Sequence, residues 1–433
     1  MWLFALGNGT CEAVINPLTA TLFPRNKTHW LNILHAGWPL GLILGAVIVL
    51  GFGQAGVPIR WEYKLGVFLI PVVLYGLLMF NRPFPRSEAS TSGISLGTSI
   101  ATLFAPILLF LFLLHALVGY VELGTDSWIT NITEQVLENQ NLALLAFIWT
   151  NLLMFTLRFF AGPIVHKINP IGLLFVSAIL GTTGLYLLGQ KFTNSVWPWV
   201  AAVTVYGIGK TFYWPTMLGV ISERFPKGGA IALGVSGGIG MISAGLLGGP
   251  GIGYKQDYFA VQKIQELSEP TYERYEARDD AGNPKKTGFP FVTDVLPNEV
   301  PKIAGLDNSK LKVFFDYSGN QAKIEAAVKT GKEPPKDLKT TLESDLETLQ
   351  KDKAAGQPVE AALEKNLTDL KKWWDTEGQP NYTVDKDKLV EARLFGAKQA
   401  LLYTAAVPAA LAVGFLLLLL YFAATGGYKQ VHI

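Results

Sequence analysis

Long apolar runs separated by short polar breaks fill most of the chain, and one long stretch departs from that rhythm. A helix needs about 20 mainly apolar residues to cross a bilayer. Nine runs reach that length: 1–23, 29–53, 62–80, 98–123, 141–163, 169–189, 195–221, 228–252 and 399–425. The departure lies between the last two. There, leucines recur at Leu338, Leu342, Leu346 and Leu349, and again at Leu363, Leu367 and Leu370, with charges between them. That spacing predicts amphipathic helices over Lys336–Ala355 and Val359–Asp375. Pro284, Pro290, Pro297 and Pro301 mark an irregular part before them. The pattern predicts an all-α membrane protein with nine transmembrane helices and a mostly helical soluble insertion before the last one.

Charge sharpens this division. Residues 255–399 hold 26 of the 34 acidic and 23 of the 36 basic residues. No basic cluster stands out, so nothing points to nucleic acid. The one cysteine, Cys11, excludes an intrachain disulfide. Met1-Trp2-Leu3 lacks a basic leader region, so the first run is read as a retained helix. No metal-ligand spacing and no nucleophile motif is present, which argues against an enzyme and implies neither metal nor cofactor. The pair Trp373-Trp374 is better explained by packing than by sugar or membrane contact.

Loop charges set an orientation. One set of loops carries nine basic residues (Arg25, Lys27, Arg82, Arg86, Arg158, Lys167, Arg224, Lys227, Lys429), and the other carries three (Arg60, Lys64, Lys191). The second set also holds an acidic loop with Asp126, Glu134 and Glu138. The positive-inside rule makes the first set cytoplasmic and exports the insertion. Trp30, Trp61, Trp128, Trp149, Trp197 and Trp199 fall near span ends, as an interfacial belt requires. Gly41 with Gly45, Gly234 with Gly238 and Gly245 with Gly249 predict close helix packing.

Two charges inside spans stand at matching positions. Glu12 lies five residues before Pro17, and Lys210 five before Pro215. Intramembrane charges are costly and by default mark function. Matching charges in two halves of a chain suggest a duplicated transporter with a central polar pathway. Asn8, Glu12 and Asn16 repeat at helical spacing and share a face. A carboxylate flanked by amides can exchange a proton while the amides bond hydroxyls. Tyr206, Lys210 and Trp214 repeat the spacing, placing aromatic faces and a cation where a sugar could stack. Asn32, His35, His115 and Asn151 are further polar candidates inside spans.

The segment Glu12-Ala-Val-Ile-Asn16-Pro17, followed by Leu31-Asn32 and Gly41, resembles helices four and five of the fucose/hexose:proton symporters of the major facilitator superfamily. Arg158-Phe-Phe-Ala-Gly162 before Asn169-Pro170 resembles the superfamily's cytoplasmic loop after helix eight, and Tyr120-Val-Glu122 before Ser127-Trp128 the outer end of helix seven. The resemblance implies a major facilitator fold in which the nine spans are helices four to twelve. Helices one to three have no counterpart, so the chain is expected to be incomplete. The implied domains are 1–80 (the rest of the N-terminal bundle), 81–97 (a cytoplasmic inter-bundle loop), 98–254 (the first five helices of the C-terminal bundle), 255–398 (the exported insertion) and 399–433 (the last transmembrane helix and cytoplasmic tail). The implied activity is proton-coupled symport of a sugar or related polyhydroxy solute at a bacterial inner membrane. Glu12 and Lys210 are then the proton-coupling residues, facing each other across the cavity as symmetry mates. Asn8, Asn16, Asn32, His35, Tyr206, Trp214 and Asn151 are the substrate-binding set, and Arg158 and Gly162 are conformational loop residues. The implied partners are a small solute, protons and the lipid bilayer, with no nucleic acid; the partner of the insertion is unspecified. A nucleoside or organic anion is the alternative solute. A membrane-anchored sensor working through the insertion is the alternative of another class.

Overall fold

The structure, a computed structural model, describes residues 2–54, 60–335 and 338–433. Its contacts divide the chain into two compact units, Met1–Gly253 with Ala400–Ile433, and Tyr254–Gln399.

The first unit is helical. In order come α1 (Trp2–Leu22), α2 (Lys27–Gln54), α3 (Trp61–Gly66), α4 (Leu69–Met79), α5 (Glu88–Thr91), α6 (Leu96–Thr102), α7 (Pro106–Leu137), α8 (Gln140–Arg158), α9 (Ala161–Leu188), α10 (Val196–Lys210), α11 (Tyr213–Arg224) and α12 (Gly229–Ser243). A π-helical turn, Ala244–Gly248, leads into α13 (Gly249–Leu267). α13 and α19 (Tyr382–Thr404) each cross the boundary between the two units, with most of either in the second, and α20 (Ala406–Ala424) belongs to the first. Seven helical stretches among the described residues are long and apolar enough to cross a membrane: Lys27–Gly51, Glu62–Met79, Pro106–Leu137, Gln140–Arg158, Ala161–Leu188, Pro226–Leu267 and Tyr382–Ala424. The protein is an integral membrane protein on that basis. The two other expected runs are helical but less uniform. Run 1–23 is α1, which carries Asn8, Glu12 and Asn16; run 195–221 is broken at Thr211-Phe212 into α10 and α11.

Leu69–Met79 buries none of its residues, and Leu69, Ile70, Leu74, Leu77 and Leu78 stand exposed. An apolar surface of that extent suits lipid rather than water. Inside the unit, α7 contributes the fully buried Leu108, Leu111, Val118, Val121 and Ile132, because its apolar residues recur at helical spacing around the whole cylinder.

Three expectations are corrected here. The acidic loop does not begin at Asp126: α7 continues to Leu137, so Asp126 and Glu134 are helical. Gly41, Gly45, Gly234, Gly238 and Gly245 have open space where a side chain would go. The close approach uses other glycines of α7, α12 and the π turn. A Cβ on Gly119 would meet the Gly240 carbonyl oxygen at 2.0 Å, and one on Gly124 would meet Gly248 Cα at 2.7 Å. Trp199 is not part of a belt. It is buried, and its Nε1 donates to Thr133 Oγ1 at 3.2 Å. The side chain of Trp61 lies outside the described residues.

The second unit contains α14 (Glu269–Tyr275), α15 (Val292–Val295), α16 (Asn308–Lys329), α17 (Thr341–Ala354) and α18 (Ala361–Trp373). Two short antiparallel strands, β1 (Lys286–Thr287) and β2 (Ile303–Ala304), pair within the proline-punctuated part. The expected helix from Lys336 begins at Thr341, because Thr340 and Glu343 form a reciprocal capping box there. Lys336 itself lies outside the described residues. Leu342 and Trp374 join Tyr275, Phe314 and Leu389 in the core, and Trp373 packs edge-on to Tyr275 at 5.3 Å. Packing accounts for both tryptophans. Buried Asp385 accepts Arg274 Nη2 at 2.6 Å, Arg274 Nε at 2.9 Å and Thr271 Oγ1 at 2.8 Å, so its charge is compensated.

Candidate functional site

Prolines within the helices set up the site. Proline has no N–H, so the carbonyl four residues earlier loses its helical partner. Pro39 lies inside α2 and frees the His35 carbonyl; Pro215, in the first turn of α11, frees that of Thr211. The chain breaks at Thr211-Phe212, between Lys210 and Tyr213.

Arg158, the last residue of α8, fills that gap. Only 2% of its side chain is exposed. Its Nε donates to the Thr211 carbonyl at 2.9 Å, its Nη1 to the His35 carbonyl at 2.5 Å and its Nη2 to Glu122 Oε1 at 3.2 Å. Glu122, on α7, uses its other oxygen to accept the Trp214 N–H at 3.1 Å. That N–H belongs to the first turn of α11, which has no partner within its helix. One ion pair therefore satisfies both ends of a broken helix. Arg158, expected as a conformational loop residue, is a buried hub at the end of α8, where the break and the two freed carbonyls need a multivalent donor. Gly162 does sit at a close approach: its N–H donates to His29 Nδ1 at 3.1 Å, and a Cβ there would meet that ring at 2.7 Å.

Lys210 is 1% exposed and forms an ion pair with Asp126 of α7, one helical turn beyond Glu122. Its ammonium also lies 5.8 Å from the centre of the Tyr206 ring. Tyr206 donates its hydroxyl to the Val121 carbonyl at 3.0 Å. The expected direct pairing of Glu12 with Lys210 is not made, because Asp126 already neutralises the lysine. Glu12 instead accepts Asn16 Nδ2 at 3.2 Å, and Asn16 Oδ1 accepts His35 Nε2 at 2.9 Å.

The other candidates divide. Asn8 is exposed on α1 and does not join this group. Asn32 donates to Thr216 Oγ1 at 3.1 Å and to the Thr28 carbonyl at 2.8 Å. Asn151 donates to the Phe147 carbonyl at 2.9 Å within α8. Trp214 is buried against His115, edge to face, with ring centres 4.7 Å apart. Asn32 Oδ1, His115 Nε2, Thr125 Oγ1 and Asn151 Oδ1 are buried without a hydrogen-bond partner. Among the described residues no cluster of His, Cys, Asp and Glu could hold a metal ion.

Sequence reasoning missed Glu122, Asp126 and Glu223 as site residues. Glu122 lies inside an expected span, and an intramembrane acid is itself a signal. Asp126 is hidden by ending that span at residue 123. Glu223 carries no periodic signal. One of its oxygens accepts both the Thr28 N–H (3.1 Å) and the Thr28 hydroxyl (2.6 Å), and the other accepts the Tyr428 hydroxyl at 2.8 Å. Burial and the Glu223 carboxylate together hold the Tyr428 hydroxyl well above its ordinary pKa. A small open cleft lies beside this region, lined by Pro17, Thr21, Lys27, Glu88, Ser222 and Leu233 among others. None of Glu12, Glu122 and Lys210 lines it.

Two buried acid–base pairs and a broken helix are thus set among membrane-length helices. The family profile of the Major Facilitator Superfamily matches residues 1–249. The chain belongs to that superfamily. A solved structure it resembles is described as a crystal structure of a Major Facilitator Superfamily transporter, FucP, in the outward conformation. The identity is 14%, the TM-score 0.48, and the match covers 57% of this chain and 66% of that one. This chain thus spans just under two thirds of that relative's length. No curated protein matches this chain.

Proposed function

We propose that the protein is a secondary transporter that moves a sugar or related polyhydroxy solute, coupled to protons, by alternating access. One observation carries the reading: an unbroken series of polar contacts crosses five helices inside an apolar unit. It runs from Glu12 (α1) through Asn16 to His35 (α2), from the His35 carbonyl to Arg158 (α8), then to Glu122 (α7) and the Trp214 N–H (α11). Of the two carboxylates in that series, Glu122 is paired with Arg158, and Glu12 has no ion pair among the described residues. Glu12 is therefore the proton-coupling residue of this reading, while Lys210 acts as the counter-ion of Asp126. The four unpartnered buried polar atoms favour a solute rich in hydroxyls, since each unmade bond costs about 1–3 kcal/mol. The alternative of an organic anion needs an uncommitted cation, and both Lys210 and Arg158 are paired. Export of residues 255–398 across a bacterial inner membrane belongs to this reading, and the loop charges support the orientation.

The test is Glu12→Gln in the full-length protein reconstituted into liposomes, with labelled hexoses, pentoses and nucleosides as probes. Proton-driven accumulation should be lost while solute exchange continues. Normal accumulation by the variant would remove Glu12 from the coupling step; nucleosides alone being carried would overturn the sugar assignment.

A further inference from the structure

We propose that residues 289–296 of the second unit rest in the headgroup layer of the bilayer, with Phe291, Val295 and Leu296 as an interfacial anchor. These side chains are 63%, 76% and 46% exposed. A lone exposed apolar residue is ordinary, but three on one turn form a patch that marks a contact surface. The helical turn α15 decides what faces outward. The Val295 N–H donates to the Phe291 carbonyl at 3.3 Å, so these two residues stack four apart on one side. Thr293, about half a turn round, faces inward. It is buried, and its hydroxyl accepts the Phe289 N–H at 2.8 Å. The turn is therefore held by its polar residue and presents its apolar ones. Phe291 does so with a φ of 64°, a region in which bulky residues are uncommon.

The lipid surface is the occupant because of where the segment is tied. The apolar run 228–252 gives way to Lys255 and Asp257 within α13, so Tyr254 stands where apolar chain meets charge. Trp128 Nε1 donates to the Gly249 carbonyl at 2.8 Å, which puts an interfacial tryptophan at the same end of the run. Tyr254 stacks on Tyr258 with ring centres 5.9 Å apart, as aromatic residues do at a membrane boundary. It also holds both ends of the exposed segment. Its hydroxyl donates to the Pro301 carbonyl at 2.7 Å, and its ring lies 6.1 Å from that of Phe289. Phe291 follows Phe289 by two residues, which is at most about 7 Å of chain. The patch is thus tethered at the level where the span leaves the lipid. Asp294, the only charge on the turn, is paired with Lys302 at 3.5 Å, so the turn brings no uncompensated charge to the bilayer. The contact gives the charged unit a membrane attachment besides its chain connections at 253–254 and 399–400. It requires only the membrane-spanning helices, and neither the solute nor the orientation bears on it.

The test places a polarity-sensitive fluorophore on the patch. Val295→Cys in a Cys11→Ser background is labelled with nitrobenzoxadiazole and the full chain reconstituted into phosphatidylcholine vesicles. Ser344→Cys, exposed on α17, is the reference. Both positions are exposed, so labelling leaves the fold intact. The emission at 295 should be shifted to the blue of that at 344. Lipids carrying a nitroxide should quench it several-fold more strongly than the reference. Interfacial burial reaches about 5–10 Å, so a nitroxide near the headgroup should quench more than one at the chain end. Phe291→Ser with Leu296→Ser, added to the labelled protein, should remove most of that quenching while leaving the melting temperature in detergent unchanged. Equal quenching at 295 and 344 would overturn the proposal, as would full quenching in the double serine variant. A blue shift that no lipid nitroxide quenches, and that grows with the protein-to-lipid ratio, would assign the patch to a second copy of the chain instead.

Discussion

Lys210 pairs with Asp126 rather than with Glu12, and that exchange of partners carries a prediction. Their contact is buried on the lysine side and 14% exposed on the aspartate side. Removing one partner of a buried pair costs about 3–5 kcal/mol, mostly because the other charge is stranded. Lys210→Met should therefore lower the melting temperature of the purified protein substantially. Adding Asp126→Asn removes the stranded charge and should return most of the loss. If Lys210→Met alone melts with the parent protein, the pair has no structural weight. Glu122 and Arg158 differ in kind: each also satisfies backbone groups, so neutralising both would still leave the Thr211 and His35 carbonyls without donors.

The helices meet most closely along a seam of glycines in α7, α12 and the π turn. A Cβ on Gly119 would press on backbone, the Gly240 carbonyl, which cannot rotate away. Overpacking of this sort typically costs about 1–3 kcal/mol, and here it would also push two helices apart. Gly234 lies on the same helix as Gly240, and a Cβ there would have nothing within 4 Å. Gly119→Ala should destabilise the protein, while Gly234→Ala should be neutral or gain up to about 1 kcal/mol from helix propensity. Equal melting temperatures for the two variants would place the seam elsewhere. A second element-level contact closes the chain's end. Val431 N–H donates to the Glu223 carbonyl at 2.8 Å and Arg224 Nη1 to the Lys429 carbonyl at 2.5 Å, so the tail is bound to the end of α11.

At the scale of the molecule, most of the charged residues are gathered into one compact unit while the other carries the superfamily match. The proposed reading puts that charged unit outside the cell, on the strength of the positive-inside rule. A cysteine at Ser344, exposed on α17, should react with an impermeant thiol reagent added to intact cells. One at Ser87, beside α5, should not. Labelling of the Ser87 position from outside would invert the proposed orientation.

Hydrophobic run length was enough to reveal the helical membrane unit, because a bilayer imposes a length that any sequence must show. The amphipathic leucines of 338–349 and 363–370 were equally legible, since burial of one helix face is written at fixed spacing. Local sequence also marked Glu12 and Lys210 as exceptional, because charge among apolar residues is conspicuous, while Arg158 was marked only by a motif resemblance. Spacing also placed Asn16 beside Glu12, one turn along the same helix. It did not reveal the partners of Lys210 and Arg158: Asp126 and Glu122 are selected by which helix faces meet, and that depends on glycine contacts such as Gly119 with Gly240 that no periodicity encodes. The break at Thr211-Phe212 was hidden for a similar reason. Its residues are as apolar as a continuous span, and it persists because Arg158 and Glu122, distant in sequence, satisfy the backbone groups it exposes. The sequence by itself determined which segments lie in the membrane and which residues are costly there; the tertiary structure decided what compensates each cost, since a hydrogen bond needs its donor within about 3 Å and only folding sets that distance.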